Sequence, residues 1–462
     1  MKKFKLFPFI LIICLIFSVA APMALALDDP SLSAQAAILV DLDSGRVLYE
    51  KNMNEQRAPA SLTKVMTALL VFEAVESGQI SMDDIVTAQD DCREGLEDDS
   101  STVGILPGLQ TTVREYLYCA LVASANEACN VLGSYVSGSV SAFVERMNQR
   151  AAELGCVNTH FLDTNGLHNE GHYSSAYDMY LITQAALRFP EFVAMCDTVS
   201  YQPQAQGINE GRELINSNAL LTEKSIYYRE GYRYEAASGV KTGFTRAAGY
   251  CLISTAEKNG IRALAVVMGS EGWLNANIEE YRNFSDSVTL YNWVFDNFTP
   301  RQVLTTADPI EQVEVELADG DGNVILYPQQ DISCLLPADL DMSQVIVTAT
   351  VYEDRLKAPI KSGSVLGEAK ISLNGEELGT VSLVNNRAVE LSRSQFFSQR
   401  LKAVFSNKWV VTVVLVLLVL AVLYLMLVIR YRRARREYLR RKRLAERRRR
   451  EMAERYDDDY EY

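Results

Sequence analysis

Histidine is scarce in this sequence, three in 462 residues, and no two cysteines fall in a Cys-x-x-Cys pair, so the usual raw material of metal and redox centres is thin. All three histidines, His160, His168 and His172, sit in THFLDTNGLHNEGH. His168-x-x-x-His172 with Glu170 between them hints at zinc, but two such ligands share a face only on a helix. Asn165-Gly166, Asn169 and Gly171 make the stretch a loop instead, so no metal and no cofactor are expected. Of eight cysteines, Cys14 lies in the N-terminal apolar run; the other seven, at 92, 119, 129, 156, 196, 251 and 334, are odd in number and scattered, which is not a disulfide framework. Cys119 and Cys129 stand among apolar residues and read as small buried hydrophobes. Repeats at solenoid periods are missing too.

Basic charge is also unevenly withheld. Residues 1–26 carry Lys2, Lys3 and Lys5, an apolar run from Leu6 to about Ala21 and the small-residue pattern Ala24-Leu25-Ala26, the layout of a cleaved export signal. No cysteine flanks that pattern, which argues against lipoprotein processing. A second apolar run, Trp409 to Ile429, holds no charge over 21 residues, enough to cross about 30 Å of hydrocarbon at about 1.5 Å per residue. Residues 430–462 then hold 14 Lys or Arg against 8 Asp or Glu, so the positive-inside tendency puts this tail in the cytoplasm, either solvated or against anionic headgroups. What remains outside, residues 27–407, has a net charge of −24, and so acidic a surface excludes nucleic acid as partner. The expected product is a single-pass cell-membrane protein whose exterior portion does the work.

That exterior portion changes texture near residue 300. AAILVDLDSGRVLYEKN reads as a hairpin around Asp-Ser-Gly, and GYCLISTAEKNGIRALAVVMG as another around Lys-Asn-Gly. Helical stretches lie between them: Ser61 to Glu76, Val113 to Ala123, Ala142 to Leu154 and Ser175 to Leu187. Hairpins at both ends with helices inserted predict an α/β fold with a mostly antiparallel sheet flanked by helices over residues 27–300. From about 307 to 395 short alternating strands with turns at Asp-Gly-Asp-Gly and Asn-Gly predict a small all-β sandwich domain, followed by one transmembrane helix at 409–429 and the tail at 430–462.

Three short motifs carry chemistry. In PASLTKVMTALL, Ser61 and Lys64 are three apart, so on a helix starting near Ser61 the hydroxyl and the amine share a face. A serine hydroxyl attacks only when a base takes its proton, and a lysine is that base only when neutral, which burial and a helix N-terminus favour. Taken alone, Ser-x-x-Lys also fits an N-cap beside a solvated lysine. LVASANEACN adds Ser124-Ala125-Asn126 at the end of an apolar helical run, and SGVKTGFTRAAGY adds Lys241-Thr242-Gly243 at the start of a strand. Matched to the three motifs of serine β-lactamases and penicillin-binding proteins, Ser124 is expected to relay a proton to a leaving amine, Asn126 to hold a substrate amide, Lys241 to serve as a cation that keeps Lys64 neutral, Thr242 to meet a substrate carboxylate, and Gly243 to admit an extended substrate backbone. The backbone amides of Ser61 and Phe244 form the oxyanion hole.

In this order the three motifs match those of the serine β-lactamases and penicillin-binding proteins. ASLTKVMTALL, ASANEACNVL, LGCVNTHFLDTNGL, YSSAYDM and GVKTGFTRAAGYCLIS more closely resemble the D-alanyl-D-alanine carboxypeptidases of the low-molecular-mass penicillin-binding protein class, over roughly residues 30–300. LKAPIKSGSVLGEAKISLNG is similar to that family's C-terminal β-domain. The resemblance implies removal of the terminal D-alanine from peptidoglycan stem pentapeptides through an acyl-serine, with β-lactams as covalent inhibitors. It also brings Asp178 into view and makes Arg282 a candidate for the substrate carboxylate. Asn165 and Tyr177 depart from the residues some members have in the loop facing the site, and a full span replaces the family's usual amphipathic surface helix. A β-lactamase or D,D-transpeptidase on the same fold, and a catalytically silent wall-binding scaffold, are the alternatives.

Overall fold

The computed structural model describes residues 28–97, 100–167, 169–353 and 355–458; the signal expected over 1–26 and His168 lie outside them. Five strands, β1 (Ala36–Asp41), β2 (Val47–Lys51), β3 (Ala237–Thr245), β4 (Gly249–Lys258) and β5 (Ile261–Ser270), form one sheet in the order β2-β1-β5-β4-β3. Every pairing in it is antiparallel. The two hairpins are where the turn chemistry puts them. Asn259 and Gly260 both have positive φ, the backbone an Asn-Gly turn supplies between twisted strands. At the other, the Asp41 carboxylate accepts from Ser44 Oγ at 2.5 Å and closes the loop on itself.

The sheet is covered on both faces, so its strands read as nearly continuous apolar runs rather than alternating ones. Side chains still alternate in direction. Ala36, Ile38 and Val40 of β1 enter the core with the helices, while Ala37 and Leu39 enter a second core with Phe284, Leu290, Tyr291 and Val294. Those four belong to a helix spanning Arg282–Asn297 on the second face.

On the first face, α1 (Lys64–Glu76) is the central helix, buried from Lys64 through Phe72. Around it lie α2 (Val113–Leu121), α3 (Asn126–Ser137), α4 (Val140–Glu153), α5 (Ala176–Leu187) and α6 (Pro190–Asp197); the second-face helix is α7. Their starts have a chemical cause: Thr112, Ser139 and Ser175 each accept a hydrogen bond from the backbone N–H three residues on. α4 is amphipathic in the simplest way, with Phe143, Met147 and Ala151 buried at intervals of four. Helices expected from Val113, Ala142 and Ser175 appear within two residues of those bounds. The one expected from Ser61 does not: Ala60–Thr63 is a 3-10 turn and the α-helix begins only at Lys64.

Compactness divides the chain into two units. One runs to Thr305 and takes in Asp331–Val347 and Lys370–Thr380; the other comprises Thr306–Gln330, Thr348–Ala369 and the chain from Val381 on. The strands after α7 are β6 (Phe298–Leu304), β7 (Glu311–Glu316), β8 (Asn323–Pro328), β9 (Ile332–Pro337), β10 (Val345–Val351), β11 (Leu356–Lys357), β12 (Val365–Leu373) and β13 (Glu376–Asn385). They make a two-stranded β6-β9 ribbon and a six-stranded sheet in the order β10-β12-β13-β8-β7-β11. Asn374 and Gly375, again both at positive φ, join β12 to β13. Two helices follow, α8 (Arg393–Ser406) and α9 (Lys408–Asp458), the latter running unbroken through the apolar stretch and into the Arg-rich one. By length and composition Lys408–Met452 is able to cross a membrane.

Candidate active site

Ser61 sits in the 3-10 turn and Lys64 is the first residue of α1, so the two meet across the junction of turn and helix rather than along one helix. Lys64 Nζ is 2.7 Å from Ser61 Oγ and donates at 2.8 Å to the Asn165 carbonyl. Ser61 is half-buried and within reach, whereas Lys64 has no exposed surface. Burial pushes the Lys64 ammonium down to about 8. Lys241 is buried as deeply and is pushed down to about 7, by that burial and then by repulsion from Lys64. The sequence reading made Lys241 the standing cation that keeps Lys64 neutral. In the structure burial disfavours the charged form of both amines, and Lys64 further disfavours that of Lys241.

The Asn165 carbonyl comes from a segment stapled to the 3-10 turn. Asp163 Oδ1 accepts from the N–H of Asn165 at 3.0 Å and of Gly166 at 2.6 Å, and Thr67 Oγ1 donates to the Thr164 carbonyl. Although burial pushes its carboxyl up, bonds with His172 and these amides hold Asp163 below the usual carboxylate range. His172 in turn bonds Thr63 Oγ1 through Nε2 at 3.0 Å. Gly166 is indispensable to this approach. A Cβ there would lie 1.8 Å from the Ala60 carbonyl oxygen, and its φ of +89° already asks for glycine. Ala60 itself has a φ of +49°, an uncommon left-handed alanine immediately before the nucleophile.

Ser124 and Asn126 stand at the head of α3. Ser124 has a φ of +60°, and the turn it forms is tied down by Ala125 N–H to the Cys119 carbonyl and Asn126 N–H to the Ser101 carbonyl. Asn126 is buried, and its Oδ1 has no hydrogen-bond partner among the described residues. Next to it, Glu127 is fully buried and accepts through Oε1 from the N–H groups of Val103 and Ile105, while Oε2 is unpartnered. Burial pushes this carboxyl up against the pull of those amides. Glu127 and Cys129 lie within electrostatic reach of Lys64, and Cys129 of Lys241 too, so the head of α3 and the two lysines share one region.

Lys241, Thr242, Gly243 and Phe244 occupy the second half of β3, not its start. Gly243 is pressed by the protein itself: a Cβ would come within 3.2 Å of the Pro59 carbonyl oxygen and the Ser61 nitrogen. The strand therefore passes close against the nucleophile's backbone, and a side chain there would have to push those atoms aside. Lys241 Nζ donates to the Thr242 carbonyl at 3.1 Å, and the Phe244 ring lies against Tyr250, centroids 4.3 Å apart.

The remaining candidates have partners of their own. Asp178 is buried in α5 and its Oδ2 accepts from Asn158 N–H and Thr159 Oγ1, holding that segment to the start of α5. Arg282 is ion-paired with Glu271 at 2.8 Å and Glu280 at 3.4 Å. Tyr177 hangs its N–H on the Met53 carbonyl. His160 Nδ1 bonds the Gly171 carbonyl, so His160 and His172 have separate structural attachments. The seven cysteines outside the N-terminal run are free thiols, all buried. Sequence reasoning missed the Asn165 carbonyl, Gly166 and Glu127. A backbone acceptor has no residue identity to read, and only Asp163-x-Asn165-Gly166 as a turn could have pointed to it.

Residues 23–272 match the peptidase family described as D-alanyl-D-alanine carboxypeptidase, and residues 298–391 match the C-terminal domain of penicillin-binding protein 5. The D-alanyl-D-alanine carboxypeptidase DacF of Bacillus subtilis is 34% identical over 75% of this chain and 83% of its own length. DacA of Escherichia coli is 30% identical over 80% of this chain and 86% of its own. Among solved structures, penicillin-binding protein 5 of Haemophilus influenzae superposes with a TM-score of 0.62 at 29% identity, covering 78% of this chain and 99% of that one.

Proposed function

The chain belongs to the D-alanyl-D-alanine carboxypeptidase family and is a serine-type peptidase of that kind, and we propose that Ser61 is its nucleophile and Lys64 its base. The observation that carries this is the 2.7 Å contact between a half-exposed hydroxyl and a fully buried amine. One Lys64 N–H is spent on the Asn165 carbonyl, which turns the remaining lone pair of the neutral amine toward Ser61 Oγ. Ser61 attacks the carbonyl carbon of the penultimate D-alanine of a peptidoglycan stem pentapeptide while Lys64 takes its proton. The Ser61 and Phe244 amides stabilise the oxyanion. Ser124 passes a proton to the departing D-alanine nitrogen, Asn126 Oδ1 accepts from the substrate amide, and Thr242 receives the terminal carboxylate. Water then cleaves the acyl-serine. A β-lactam enters the same first step and stays on Ser61.

Fluorescent penicillin attaches at Ser61, identified by peptide mass mapping, and Ser61→Ala abolishes attachment while leaving the fold intact. Residues 27–407 release D-alanine from a model pentapeptide; penicillin hydrolysis without D-alanine release would overturn the carboxypeptidase assignment. The apolar helix fits a membrane anchor, with the catalytic portion outside and the Arg-rich tail in the cytoplasm. Protease added outside intact cells digests the first and spares the second; loss of the tail would reverse that orientation.

A further inference from the structure

The substrate carboxylate is received at Thr242, yet Thr242 is not alone there. Its Oγ1 lies 2.5 Å from Ser217 Oγ, on a segment 25 residues upstream that none of the three motifs includes. That segment, Asn216-Ser217-Asn218, is fastened on both sides of the serine. Asn216 Nδ2 donates to the carbonyls of Cys196 and Thr198, and Asn218 Nδ2 donates to the carbonyl of Gly239 in β3. The Asn216 Oδ1 accepts from the Asn218 N–H, and Ser225 Oγ donates to the Ser217 carbonyl. Both asparagines are buried, and Ser217 between them is half-exposed and turned to the strand.

A hydroxyl has one proton and two lone pairs. In a Ser–Thr pair one hydroxyl must donate to the other. With an anion in front of Thr242, the arrangement that satisfies every group has Ser217 donating to Thr242 Oγ1 and Thr242 donating to the carboxylate. The first bond then polarises the second. Without Ser217, Thr242 is free to rotate its proton toward other acceptors and its side chain loses the contact that fixes its rotamer.

We propose that Ser217 is a positioning residue for the C-terminal carboxylate of the substrate, acting through Thr242; this rests on the assignment of Thr242 above. It makes recognition of the anion a relay of two hydroxyls, and it makes Ser217 a determinant of the requirement for a free carboxylate.

The test compares D-alanine release from an N-acylated tripeptide ending in D-Ala-D-Ala with D-alaninamide release from the same peptide carrying a C-terminal amide. Ser217→Ala lowers kcat/KM for the carboxylate substrate by about tenfold, the size expected for a hydrogen bond to a charged group, mainly through KM. For the amide substrate it changes kcat/KM by less than about twofold. Thr242→Val produces the same selective loss, and the double variant is no worse than Thr242→Val alone. Ser217→Thr, which keeps the hydroxyl, restores the carboxylate preference. Equal losses on both substrates, or none on either, would overturn the proposal. Stoichiometric attachment of fluorescent penicillin at Ser61 in the Ser217→Ala protein separates this from failure of the nucleophile assignment, because a slower approach to full labelling leaves the end point unchanged.

Discussion

Two asparagines show how differently the two parts of this chain are built. Asn385, at the end of β13, is buried with its bonding saturated: Nδ2 donates to the carbonyls of Lys361 and Arg387, and Oδ1 accepts from Ser364 N–H. Asn126, at the head of α3, is buried with Oδ1 lacking a hydrogen-bond partner among the described residues. Among the described residues after Phe298, the buried polar side chains are Asn385 and Ser392, whereas before it Lys64, Lys241, Glu127, Asn126 and many more are shut away from water. Burying a polar group without a partner costs on the order of 1–3 kcal/mol, so such groups persist only where something other than stability keeps them. Among the described residues, every buried side-chain polar atom without a hydrogen-bond partner lies before Phe298, Asn126 Oδ1 and Glu127 Oε2 among them.

The sharpest way to break that contrast is Lys64→Arg. Arginine keeps the charge and approximate length but remains protonated at any working pH, so acylation by penicillin falls by about 10²–10⁴ if Lys64 is the base. The wild-type acylation rate climbs with pH and is half-maximal near 8, because the neutral amine is the reactive form and accumulates as pH rises through its pKa. A Lys64→Arg protein acylated at the wild-type rate would make this lysine a structural one. A smaller effect of opposite sign belongs to Lys241→Met. The Lys241 ammonium is pushed from an ordinary lysine value to about 7 in the folded state, so between about pH 7 and 10.5 the unfolded chain binds more protons and the wild type loses stability as pH falls. Methionine carries no such penalty. At pH 7 its unfolding free energy exceeds the wild type's, with the advantage shrinking toward pH 10, while activity is lost. Denaturant titrations at the two pH values check both the sign and the trend. The smallest expected effect is Asn385→Ala, which costs about 1–2 kcal/mol by stranding the Ser364 N–H and two carbonyls. It leaves D-alanine release by the folded protein unchanged. A gain in stability there, or a loss at Lys241→Met, would dissolve the distinction between the regions.

Much of this was legible before any coordinates. The hairpins ending in Asn259-Gly260 and Asn374-Gly375 follow from turn residues that tolerate positive φ, and the helices expected from Val113, Ala142 and Ser175 begin at Val113, Val140 and Ala176, after the capping residues Thr112, Ser139 and Ser175. The antiparallel sheet and the family were readable from the same patterns and motifs. What escaped has a common physical character. The turn around Ser61 is 3-10 rather than α, and Gly166, the close neighbour of its Ala60, is 106 residues away in sequence, where no local spacing announces it. The base is oriented by a carbonyl, which every residue possesses and none advertises. The proton balance between Lys64 and Lys241 depends on burial, which spacing along the chain does not encode.

α9 also has a mechanical side. Because it carries no break between its apolar and Arg-rich stretches, with the apolar stretch as a membrane anchor it would act as a lever pivoting there. Residues 430–458 extend it by about 43 Å past the end of the apolar run, at about 1.5 Å per residue. A tilt of about 20°, ordinary for a membrane helix, sweeps the far end sideways by about 15 Å.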